Sequence, residues 1–126
     1  MAAESPTFRR QLIRIAAEPR LTVHVEVLPE RSIPGARAVT RLVRRDGMLT
    51  ARIEVSALDD VVELIAHEIE HVIEQIDGVD LATYAGLPGT GVHTVGAGGI
   101  AFETVRASRI GENVAREVRA SRRRGL

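Results

Sequence analysis

The chain has 126 residues, 17 basic and 17 acidic side chains, no cysteine and, among the basic residues, arginine only. Such a length fits one domain around one modest core, so residues 1–126 are expected to fold as a single domain. The composition excludes disulfides, thiolate metal sites, cysteine nucleophiles, P-loop lysines and Schiff-base chemistry, and zero net charge supplies no basic field toward nucleic acid or a membrane.

Phe8, Tyr84 and Phe102 are the only aromatic residues, too few for a stacking platform for single-stranded nucleic acid, so an aliphatic core is expected. No stretch reaches the ~18 apolar residues of a membrane span, and the first twenty residues are too polar for a signal peptide. A soluble chain is the expectation, with neither nucleic acid nor membrane as a partner.

Ser5-Pro6 reads as an N-cap followed by proline at the first helical position, and Phe8, Leu12, Ile15 and Ala16 recur at helical spacing until Pro19. This predicts a short amphipathic helix packed on the back of a sheet. Leu21, Val23, Val25 and Val27 alternate with polar residues, the period of a half-buried strand. His24 falls on its polar face and reads as a solvated residue. After a loop with two prolines, segments 38–45 and 48–55 flank Asp46-Gly47, a strong hairpin signal, and Leu49, Ala51, Ile53 and Val55 share one face of the second arm.

Residues 58–77 carry the chemistry. At about 100° per residue, Val61, Ile65, Ile69, Val72 and Ile76 fall within one apolar arc, as a helix packed on a core requires. His67 and His71 lie roughly opposite its middle. Being four apart, they stack one turn above the other, and their imidazoles can reach a single ion. Glu68 projects beside the pair, placed to touch a water on that ion without being a ligand; this is the mechanical content of H-E-x-x-H. Ser56 with Asp59 resembles a capping box, and Asp77-Gly78 supplies a stop.

Residues 78–99 are rich in glycine, a connection of a kind that is commonly functional. His93 lies there, open to reading as a third zinc ligand, a substrate or oxyanion contact, or an exposed loop residue. Tyr84 is open between packing and stabilising a tetrahedral intermediate. A last helix is predicted over 99–119, with Ala107, Ile110, Val114 and Val118 as its apolar stripe, Gly111 allowing a close neighbour, and 121–126 as a frayed tail. Glu103 falls on that stripe. A carboxylate buried there needs a partner, either an arginine or the metal, and the metal is favoured because a two-histidine site lacks its third ligand.

With these residues placed, the sequence resembles the zincin metallopeptidases, and within them a minimal single-domain gluzincin. The resemblance rests on HEIEH at 67–71, the strand at 48–55 before it, and FETVRA at 102–107, and it spans roughly residues 21–119. It implies a zincin-like α+β fold: a small, mainly antiparallel sheet of about three to four strands packed on the HExxH helix, with one helix at each end of the chain. It also implies Zn2+ on His67, His71 and Glu103, and Glu68 activating a water. No extended third histidine and no Met-turn follow, which disfavours the metzincin branch. The expected function is a zinc-dependent hydrolase cleaving peptide bonds in a peptide or protein substrate. The competing class is a non-catalytic zinc-binding or peptide-binding module on the same fold.

Overall fold

The computed structural model describes residues 1–29, 37–57, 60–78, 92–95 and 101–125, giving the backbone alone at 92–95 and 101–103. Its elements are α1 (Pro6–Ala16), β1 (Leu21–Leu28), β2 (Ala38–Arg45), β3 (Met48–Ser56), α2 (Val61–Ile76), β4 (Val92–Val95), β5 (Ala101–Thr104) and α3 (Val105–Arg124). The class is α+β, as expected.

The sheet departs from expectation in direction. Its order is β1-β3-β2, with β2 antiparallel and β1 parallel to β3, so it is mixed rather than mainly antiparallel. Alternation of apolar residues tells which face of a strand is buried, but not which way its neighbour runs. The hairpin signal was sufficient for the other pair: Asp46 and Gly47 have φ of 53° and 77°, the two left-handed residues that a tight two-residue turn requires. Strand β3 is therefore central, and Leu49, Ala51, Ile53 and Val55 point together into the core.

Helix α2 lies against that face and joins Ile69, Val72 and Ile73 to the core residues of β3. Each fully buried aliphatic side chain contributes on the order of 1.5–3 kcal/mol. The N-cap of α2 is Asp60, which accepts from the Glu63 amide, rather than Ser56. Ser56 is instead the buried last residue of β3.

Two further helices among the described residues pack on α2. Helix α3 runs along it, presenting buried Ala107, Gly111, Val114, Ala115 and Val118. Gly111 is there because the helices touch: a Cβ at this position would lie 2.9 Å from the Glu63 carbonyl oxygen and 3.2 Å from the His67 Cβ. The expected close approach is borne out. Helix α1, with Ser5 as its N-cap, packs on α2 and α3 rather than on the back of the sheet. Its buried face also differs, because Gln11 is buried while Leu12 is exposed. The cause is polar: Gln11 Nε2 donates to the Ala66 carbonyl at 2.9 Å and to Glu70 Oε1 at 3.1 Å.

Glu117 of α3 locks the start of α1. It accepts from Ser5 Oγ at 2.6 Å, from the Thr7 amide at 3.0 Å and from Thr7 Oγ1 at 2.6 Å. Burial alone would raise its pKa, but these donors and the charge of Arg10 outweigh that and hold the carboxyl below its ordinary 4.5. Residues 121–124, expected as a frayed tail, continue α3, and Arg122 bonds Glu4 at 3.0 Å. No helix among the described residues is long and apolar enough to cross a membrane.

Candidate metal centre

The polar face of α2 is not solvated. His71, Glu70 and Glu74 are all buried, because α3 and α1 cover the side of the helix that the sheet does not. Buried carboxylates persist only where each is paired or hydrogen-bonded, and here each is. Glu70 accepts from Gln11 and from Arg106 Nε at 2.6 Å. Arg106 reaches on to Asp77 at 2.7 Å, and this guanidinium, with Arg14 behind it, holds Asp77 below the usual carboxylate range against the opposing effect of burial.

On this face His67, Glu68 and His71 come together, each offering a ligand atom within 4.8 Å of the others. The imidazole centroids are 4.9 Å apart and their planes are inclined at 72°. Atoms bound to one tetrahedral zinc stand about 3.4 Å apart, so the two imidazoles close on an ion by side-chain rotations of roughly 1 Å. Imidazole nitrogens are donors that suit zinc, and the nearby carboxylate is placed to act beside them.

The neighbours prepare both residue types. His71 Nδ1 lies 2.9 Å from Glu74 Oε1, which also accepts from Thr104 Oγ1 at 3.1 Å. A carboxylate there holds the proton on Nδ1 and directs Nε2 to the ligand role, the usual support of a metal-binding histidine. Glu68 is held from the sheet, where Thr40 Oγ1 of β2 donates to Oε1 at 2.7 Å. Its second oxygen, Oε2, stands 3.9 Å from His67 Nε2. One carboxylate oxygen is thus anchored, and the other faces the histidine pair.

The remaining expected residues divide. Glu103 does not lie on a helical stripe: it is in strand β5, and α3 starts only at Val105, with Thr104 as an N-cap that accepts from the Ala107 amide at 3.0 Å. The helical stripe therefore gives no ground for placing Glu103 at the metal. His93 is not in an irregular loop but in β4, directly opposite Glu103 in the antiparallel β4–β5 pair. Tyr84 lies outside the described residues. His24 is exposed, as expected.

Three residues that support the candidate site carry little signal in the sequence. Thr40 carried no signal, since a threonine in a strand is ordinary. Glu74, three residues after His71 on the same helix, was findable as a neighbour at hydrogen-bonding spacing. Thr104 sits at a strand-to-helix boundary that the local pattern does not mark. Comparison with family models, with curated proteins and with solved structures finds no match for this chain.

Proposed function

We propose that the protein is a zinc-dependent hydrolase of the zincin type acting on peptide bonds, with Glu68 as its general base. One observation carries the reading. The two histidines at ligand spacing are accompanied by a carboxylate whose Oε1 is bound by Thr40 and whose Oε2 faces His67. A purely structural or non-catalytic centre has no use for that third group.

His67 and His71 would hold the ion, with Glu103 as the third ligand that the resemblance to gluzincins implies. When bound, zinc would supply a Lewis acid that polarises a carbonyl and acidifies a water. Glu74 keeps His71 in the tautomer that ligates through Nε2. Thr40 fixes the Glu68 carboxylate in one rotamer, so that Oε2 takes a proton from the attacking water and returns it to the leaving amine. His93, across from Glu103 in the hairpin, is the proposed contact for substrate.

Glu68→Gln tests the assignment. The variant should keep its metal, because Glu68 is not a ligand here, while cleavage of a peptide library falls by about two to four orders of magnitude, the usual worth of a lost general base. Cleavage at the wild-type rate would remove Glu68 from the role.

A further inference from the structure

The β1-β3-β2 sheet has a second face, turned away from α2. The residues of β3 that alternate with its core positions, Met48, Thr50, Arg52 and Glu54, run along its middle. Strand register sets their neighbours. Toward the turn, Arg45 lies opposite Met48 and Val43 opposite Thr50. In the next rung Arg52 stands between His24 and Arg41, and in the last Glu54 stands between Glu26 and Val39. The outer face is therefore basic toward the turn and acidic at its far end.

Most of this face is open. Val43 and Met48 are 53% and 44% exposed, and His24, Glu26, Arg45 and Arg52 are exposed as well. Arg41 pairs with Glu54, but His24, Glu26, Arg45 and Arg52 form no ion pair among the described residues. A shallow hollow of about 260 Å³ lies at the basic end, where Arg45 and Arg52 flank apolar Val43 and Met48. The acidic end offers the counterpart, two carboxylates beside Val39.

Two such faces match when one is turned end for end. A two-fold axis lying between the sheets and across the strands sets Glu26 and Glu54 of each copy over the arginine end of the other. An unrelated acidic partner would answer the basic end and leave Glu26 unmatched, whereas a second copy answers both ends at once, as a self-complementary two-fold contact does. We infer that two copies of this chain associate through the outer faces of their sheets, packed about 10 Å apart with β3 antiparallel to its counterpart. The pairing is independent of the proposed hydrolase function, because α2 and its histidines stand on the other side of the sheet. Three strands of eight or nine residues give a face of roughly 14 Å by 26 Å, smaller than the ~800 Å² per partner of a standard interface. The association is therefore reversible and in the micromolar range or weaker.

Sedimentation velocity of the full chain from about 1 to 500 µM tests it. The wild-type mass should rise from one chain toward two over that range, and the rise should shrink as salt is added. Arg45→Glu with Arg52→Glu reverses the basic end; Glu26→Arg with Glu54→Arg reverses the acidic end. Each variant alone should associate at least tenfold more weakly than wild type, because several facing pairs become like-charged. Mixed in equal amounts, the two should form a one-to-one dimer at least as tight as the wild-type dimer, since both ends are matched again. Circular dichroism checks that each variant is folded, and Arg52→Glu alone, at an exposed position, should still weaken pairing severalfold if a double variant is not. Arg116→Glu with Arg123→Glu, an equal change of net charge at exposed positions of α3, should leave association as in wild type. A wild-type chain that stays monomeric throughout, a reversed variant that pairs as well as wild type, a mixture that remains monomeric, or an equal loss in the α3 variant would overturn the pairing.

Discussion

Replacing Gly111 by alanine separates two effects of opposite sign. Within an isolated helix the change is favourable, by about 0.8–1.0 kcal/mol. In α3 the new methyl group would sit 2.9 Å from the Glu63 carbonyl oxygen and 3.2 Å from the His67 Cβ, and the nearer of these is backbone that cannot rotate away. Relief therefore requires α2 and α3 to move apart, and overpacking of this kind costs roughly 1–3 kcal/mol. A contact this short with backbone belongs in the upper half of that range, so the expected net loss is about 1–2 kcal/mol. For a domain of this size that lowers Tm by about 3–10 °C. The displaced helix carries His67, so zinc affinity should fall as well. Thermal unfolding followed by circular dichroism, with and without zinc, measures both. A variant as stable as wild type, or more stable, would show that helix propensity outweighs the contact and that the two helices are not packed as closely as described.

Two further substitutions probe the buried polar network. Glu117 has a folded pKa below its ordinary 4.5, so its contribution to stability is complete above that value and is lost as pH falls through the lower folded one. Glu117→Gln should cost about 1–2 kcal/mol near neutrality, and the gap in Tm between variant and wild type should narrow in acid; a gap that widens in acid would reverse the sign. Glu74→Ala should weaken zinc binding about 10–100-fold through loss of the His71 support, read by competition with a chromophoric chelator, and unchanged affinity would remove Glu74 from that role.

Much of this was legible in the sequence because it depends on local chemistry. The Asp46-Gly47 turn, the Ser5 cap and the shared face of Leu49, Ala51, Ile53 and Val55 follow from rules that act over a few residues. The His67, Glu68 and His71 grouping is likewise set by one turn of helix. What depended on distant partners was not legible. The parallel β1–β3 pair leaves no trace in alternation. The buried polar face of α2 looks like a solvated one until Gln11, Thr40, Thr104 and Arg106 arrive from four other elements. The boundary between β5 and α3 is hard to read because Ala101, Phe102 and Glu103 suit either period over so short a run, and only the Thr104 cap marks the start of the helix.

The central claim is that His67 and His71 hold a metal ion, and metal content is its most direct measure. Purified protein dialysed against limiting zinc and analysed by mass spectrometry of the elements should carry close to one zinc per chain. His67→Ala and His71→Ala should each lose nearly all of it, because two remaining ligands bind zinc poorly, Glu103→Ala should lose most, and His93→Ala should stay near wild type. Loss in His93→Ala with retention in Glu103→Ala would exchange the third ligand. Near-normal zinc in both His67→Ala and His71→Ala, or none in the wild-type protein, would contradict the metal centre itself.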